Sequence, residues 1–186
     1  MRMSELSRRA DASIPTIKYY LRQGLLPSGV PTARNQADYG DEHVDRLLLI
    51  RTLTGLGRLS IATVRTVLEA LDKEQGGDPG RRAAAMREAS HRVARLLDDL
   101  GWQIGEERTE PAALGRLLHA LGELDGGHDL DAVERYARAA ANVARLERDL
   151  VEGPAAADTV AARRTLFDAV LVTVRQLAYE ANAEPS

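Results

Sequence analysis

Residues 13–27, SIPTIKYYLRQGLLP, hold a short helix between two hard ends. Ser13 is of the type that caps a helix N-terminus. Pro15 falls in the first turn, where a missing N–H costs nothing. Gly24 suits the left-handed residue just past the helix end, and Pro27 prevents a restart. Between these ends Ile17, Tyr20 and Leu21 form an inward stripe, which leaves Thr16, Lys18, Tyr19 and Arg22 outward. The preceding residues 3–11, MSELSRRAD, read as another short helix, with Ser4 as its cap and Leu6 and Ala10 on one face. Ala12 makes the turn between them. Two short helices joined by a tight turn form a helix-turn-helix pattern.

The following stretch, 27–40, has no helical period and is punctuated by Pro, Gly, Asn and Asp, so it predicts a loop or small β-hairpin, a wing. Asp41 is the expected cap of the next helix, whose apolar face is Val44, Leu47, Leu48 and Leu53. Ser60 starts another, with Ile61, Val64, Val67, Leu68 and Leu71 inward. DKEQGGDPG, 72–80, is the clearest compositional boundary in the chain. Four amphipathic helices are expected beyond it, at about 81–101, 110–125, 129–152 and 158–181. The expected fold is therefore mainly α: a winged helix-turn-helix domain at 1–71, a linker at 72–80, and an all-helical effector or dimerisation domain at 81–186.

Composition removes several function classes. Apolar residues make up 44% of the 186, enough for a core, and aromatics only 4%, so that core is aliphatic. There are no cysteines, which excludes thiolate metal sites and Cys nucleophiles and suits a reducing compartment. No apolar run approaches the ~20 residues of a membrane helix, and the N-terminus lacks a signal-peptide core. A soluble, cytoplasmic protein without membrane partners is expected. Net charge is −3, unevenly spread: residues 1–34 carry six Lys and Arg against two acids, a local +4 on a body of −7. A basic end on an acidic body points that end towards a polyanion.

A helix entering a DNA major groove uses its N-terminal residues and one outer face. Lys18 and Arg22 have the reach for phosphates or a guanine edge, and a Tyr hydroxyl can donate to phosphate. The same residues would also suit an ordinary amphipathic surface helix with solvated cations. The turn before this helix and the wing after it favour DNA.

TIKYYLRQGLLP, a polar wing ending in ADYGDEHVDRLLLIRTLTGLG, and then SIATVRTVLEAL together resemble the winged-helix DNA-binding domain of the MerR family of transcriptional regulators, over residues 1–71. The resemblance implies a homodimer on an inverted-repeat promoter operator in double-stranded DNA, with RNA polymerase using the remodelled promoter. By position it assigns DNA contacts to Ser13, Thr16, Lys18, Tyr19 and Arg22 on the recognition helix, to Arg34 and Tyr39 on the first wing, and to Arg58 in the GLGRLS turn. The wing end departs from the family's Tyr-Arg-x-Tyr, reading Asn35-Gln36-Ala37-Asp38-Tyr39. The GLGRLS turn is one residue longer than the family's usual form.

The helical half resembles nothing specific. Its large side chains Trp102, His119, Tyr136, Phe167 and Tyr179 are candidates for binding a small organic ligand, and equally for filling a helical core. Val93, Leu96, Leu97 and Leu100, at i, i+3, i+4 and i+7, are candidates for a dimer interface, with a later helix such as 158–181 as the alternative. Glu88-x-x-His91 has a di-iron spacing, but its only near match, Asp125-x-x-His128, falls in a Gly-Gly turn, so neither metal nor cofactor is expected. No catalytic arrangement stands out. The sequence reading is a ligand-controlled regulator, with a partner-controlled regulator or an excisionase-like DNA-bending protein as the alternatives.

Overall fold

The computed structural model describes residues 1–33, 36–74, 79–105, 108–125, 130–151 and 157–182. Among these, eight helices accompany one two-stranded sheet. The chain divides into two compact units, Met1–His128 and Asp129–Ser186.

The first unit opens with α1 (Met3–Arg9) and α2 (Ile14–Arg22). The residue before α1 is Arg2, with no side-chain cap, so Ser4 lies inside the helix instead of starting it. Ser13 does cap α2: its Oγ accepts from Thr16 N at 3.2 Å. Gly24 follows α2 at φ +69°, the left-handed conformation that favours glycine. β1 (Val30–Ala33) and β2 (Gln36–Asp38) then pair antiparallel, with Val30 opposite Asp38 and an irregularity after Pro31. Gly29 is needed at the base of this hairpin, because a Cβ there would meet Asp38 O at 2.6 Å and the Tyr39 ring at 2.9 Å.

α3 (Asp41–Gly55) and α4 (Ile61–Glu74) complete the winged helix. Gly40, not Asp41, occupies the position before α3, and its N–H donates to His43 Nδ1 at 3.0 Å. At α4 the Oγ of Ser60 accepts from Thr63 N at 3.1 Å. The core gathers Leu6, Ile17, Tyr20, Leu25 and Leu26 with Leu47, Ile50, Val64, Leu68 and Leu71. Every helix of the domain sends its apolar stripe to that one centre.

α5 (Pro79–Asp99) and α6 (Glu110–Asp125) belong to this same unit. They pack closely on each other, with Gly115 of α6 set against Ser90 of α5. α6 also lies on α3 and α4, where Ala120 enters the winged-helix core and Leu117 packs against it. The compositional boundary at 72–80 is therefore not where contacts divide the chain. Residues 75–78 of it lie outside the described residues.

Val93 and Leu96 of the expected dimer stripe are buried inside one chain, on the helix that α6 covers. Leu97 and Leu100 are half-buried. α6, in the same chain, covers part of that face.

The second unit holds α7 (Leu130–Val151) and α8 (Ala157–Asn182), packed on each other. Tyr136, near the start of α7, accepts a hydrogen bond from Arg175 Nη1, near the end of α8, at 3.2 Å. The two helices therefore run antiparallel.

Candidate nucleic-acid interface

The candidate interface is built on α2. Its cap fixes the start twice over, because Ser13 Oγ and Thr16 Oγ1 also lie 2.7 Å apart. Ile17 is fully buried and Tyr20 is 8% exposed, which pins the inner face. Tyr19 is 39% exposed, with its ring 5.7 Å from that of Tyr20 and tilted 54°. Lys18 and Arg22, four residues apart, share the exposed side.

Cation pairing separates these two from their neighbours. Arg8 is taken up by Glu5 at 2.6 Å, which raises the Arg8 pKa and lowers that of Glu5. Arg9 binds Asp41 at 2.6 Å. Arg2 donates to Thr32 Oγ1 at 3.0 Å, tying the hairpin to the N-terminal segment. Arg46 reaches Leu25 O and Asp72; Arg51 reaches Ala10 O and Asp11; Arg65 reaches Gln23 O. Among the described residues of this domain, Lys18 and Arg22 form no hydrogen bond or ion pair. Two cations with no partner, on one face of a rigid helix, are free to meet an anion from outside.

An open groove of about 560 Å³ runs beside this face. Pro15, Thr16, Tyr19 and Tyr20 line one side, and Thr54, Leu59, Ser60 and Ile61 the other. The starts of α2 and α4 both border it, and helix N-termini carry free N–H groups suited to phosphate. Ser60 and Pro15 were not among the sequence candidates. The repeated Ser-Ile-x-Thr at 13–16 and 60–63 is the signal that could have found them, since it caps both helices in the same way.

The wing candidates fare differently. Arg34 lies outside the described residues. Tyr39 is 7% exposed and packs edge-on to His43, ring centroids 5.2 Å apart, so it belongs to the core and does not stand out on the wing. Its large apolar ring closes the base of the hairpin against Gly29. Arg58 is exposed in the turn between α3 and α4, at φ +49°, a left-handed conformation uncommon for a residue with a Cβ.

The ligand candidates fall in both units. Trp102 is half-buried and His119 is buried, 4.0 Å from Glu123; both belong to Met1–His128. In the second unit Phe167 is half-buried, while Tyr136 and Tyr179 are exposed. Glu88 pairs with Arg92 and Arg95, at 3.3 and 3.6 Å. No described helix is long and apolar enough to cross a membrane.

Residues 1–71 match the family described as MerR HTH family regulatory protein. The HTH-type transcriptional regulator ZntR homolog of Haemophilus influenzae is 30% identical over 83 residues, which are 44% of this chain and 61% of that protein. The chain thus spans under two thirds of that relative's length. The HTH-type transcriptional regulator MerD of Pseudomonas aeruginosa is 27% identical over 110 residues, 59% of this chain and 90% of that protein. Among solved structures, SCO5550 of Streptomyces coelicolor A3(2), described as a candidate transcriptional regulator, is similar with 32% identity and a TM-score of 0.46, over 98% of this chain and 96% of that one.

Proposed function

Through residues 1–71 this chain belongs to the MerR HTH family of DNA-binding transcriptional regulators, and from that premise we propose that it binds an inverted-repeat promoter operator as a homodimer. The observation that carries the reading is the pair Lys18 and Arg22, exposed and without partners on a capped helix whose neighbouring arginines are tied to oxygens. In the complex α2 lies in the major groove, with Thr16, Lys18 and Arg22 towards base edges and phosphates. Ser13, Tyr19 and the start of α4 follow the flanking backbone, and Arg58 extends the contact beyond the α3–α4 turn.

The protein works in the cytoplasm, and RNA polymerase at the promoter is the machinery it acts upon. Control comes from a small organic ligand taken up by the helical region. α6 gives such a signal a physical route, since it shares core residues with the winged helix. A change that moves α6 is felt by α3 and α4.

Selection of bound sequences from a randomised double-stranded DNA pool tests the reading. An enriched inverted repeat, bound far more tightly than competitor DNA and lost when Lys18 and Arg22 are both replaced by Ala, is the expected result. Binding with no sequence preference would remove it.

A further inference from the structure

We propose that Arg51 and Arg65 are positioning residues for DNA reading: one grips a main-chain carbonyl at the turn before α2, the other the carbonyl at its end, and together they fix the helix against α3 and α4. α2 has nine residues, about 14 Å of axis. Two of them, Ile17 and Tyr20, are buried. They lie less than one turn apart, so they form a single point of attachment about which so short a helix can tilt. Fixing its direction takes contacts at the ends.

Those contacts come from the next two helices. Ala10 is the C-cap of α1 and begins the turn into α2, and Gln23 is the C-cap of α2. The last carbonyls of a helix have no partner within it and need donors from elsewhere. Arg51 Nη1 on α3 donates to Ala10 O at 2.6 Å, and Arg65 Nη2 on α4 donates to Gln23 O at 3.0 Å. Arg46 Nε on α3 adds a bond to Leu25 O at 2.6 Å, just past Gly24. A cation there also meets the negative end of the helix dipole. Asp11, in the turn before α2, sits at φ +46°, a left-handed conformation uncommon for a residue with a Cβ. Arg51 spans that strained position, bonding Ala10 O on one side and Asp11 Oδ2, at 3.0 Å, on the other.

The side-chain partners matter less than the carbonyls. The Asp11 side chain is 89% exposed, and Gln23 Oε1 lies 3.3 Å from Arg65; exposed pairs of that kind are worth little. Charge alone would count both arginines as DNA contacts, yet their guanidiniums are turned to main-chain oxygens of this chain.

Base reading depends on such a hold. Hydrogen bonds to base edges are directional, and a binding group has to be held within about 0.5 Å and about 10–20° of its working geometry. Attraction to phosphates is long-range and tolerates a tilted helix. Loosening either grip should therefore weaken operator binding and leave binding to arbitrary DNA as it was. The inference rests on the operator reading, since it concerns how α2 is aimed at a sequence.

The test is fluorescence anisotropy of the full chain on two duplexes of equal length, the operator selected from the random pool and a scrambled sequence, over a salt series. Arg51→Ala and Arg65→Ala should each lower operator affinity about tenfold, the worth of one base contact. Affinity for the scrambled duplex and the salt slope should not change. Arg51→Lys and Arg65→Lys keep a donor and should recover part of the loss. A melting curve of each variant shows whether it is folded at the assay temperature; Arg65, which is exposed, decides alone if Arg51→Ala does not fold. Wild-type preference for the operator in a folded Ala variant overturns the proposal, and so do Lys variants that bind no better than the Ala ones. Equal loss on both duplexes with a salt slope lower by about one also overturns it, because that marks a direct phosphate contact. A wild type that does not distinguish the two duplexes sinks the operator reading and this inference with it; a wild type that does, with Ala variants that distinguish them as strongly, sinks this inference alone.

Discussion

Arg116 Nε on α6 donates to Thr52 Oγ1 on α3 at 3.2 Å, and Thr52 Oγ1 donates in turn to Leu48 O at 2.9 Å. A helix far along the sequence is thereby fastened to the DNA-binding domain. The site is withdrawn from water: Thr52 is 4% exposed, and burial, with Arg51 nearby, lowers the pKa of the Arg116 guanidinium. Thr52→Val keeps the shape and removes the acceptor, which leaves a half-buried N–H unsatisfied. The expected loss is about 1–3 kcal/mol, read from the urea midpoint. Thr52→Ser keeps the hydroxyl and should lose clearly less. Equal losses would assign the effect to the methyl group and not to the Arg116 contact.

Lys18→Ala and Arg22→Ala should leave stability nearly unchanged, because neither side chain has a partner to lose. Each should weaken operator binding by about 1–3 kcal/mol if it reads a base edge. If a residue touches phosphate alone, its loss should be uniform across sequences and the salt slope should fall by about one. Fluorescence anisotropy over a salt series separates the two cases. Unchanged affinity in both variants would take α2 out of the interface.

The adjacent tyrosines divide stability from binding. Tyr20 fills the core beside Ile17 and Leu25. Tyr20→Ala should cost on the order of 3 kcal/mol of folding stability, as other large aromatic truncations do. Tyr19 borders the groove and is far more exposed. Its change to Ala should lower DNA affinity and shift the unfolding midpoint little. A larger stability loss for Tyr19→Ala would contradict the placement of the two rings.

These contrasts show which part of the molecule was legible beforehand. Most helices fall within about two residues of their expected ends because local chemistry sets those ends: Ser13 and Ser60 cap, and Gly24 turns left-handed; α4 runs to Glu74, three residues into the expected linker. Ser4 and Asp41 misled because a capping residue type was present one or two positions inside the real start. Periodicity put Val93 and Leu96 on one apolar stripe, and both are buried, but a stripe does not say which partner it meets. A twin and a neighbouring helix give the same pattern, so the packing of α6 on the winged helix was hidden. Tyr39 was hidden by its neighbours, since a ring at the end of a polar hairpin looks exposed until the hairpin folds back on α3.

Asp45 on α3 gives a pH test of the same α3–α6 region. Although Asp45 keeps an exposed surface, partial desolvation raises its carboxyl pKa, and the Asp41 carboxylate one turn earlier raises it further; His119, Arg9 and Arg116 pull it only partly back. The folded chain therefore binds this proton more tightly than the unfolded chain does. Between the ordinary carboxylate value and the raised one, the folded state holds more protons, so this group's contribution to stability falls as pH rises through that window. Above the window both states are ionised and the cost is fully present. Asp45→Asn removes the charge. It should melt at a higher temperature than the wild type near pH 7, and the gap should close towards about pH 3, below the ordinary Asp range. A variant less stable than the wild type near pH 7 would show that the attraction of Asp45 to Arg116 and His119 outweighs its partial desolvation.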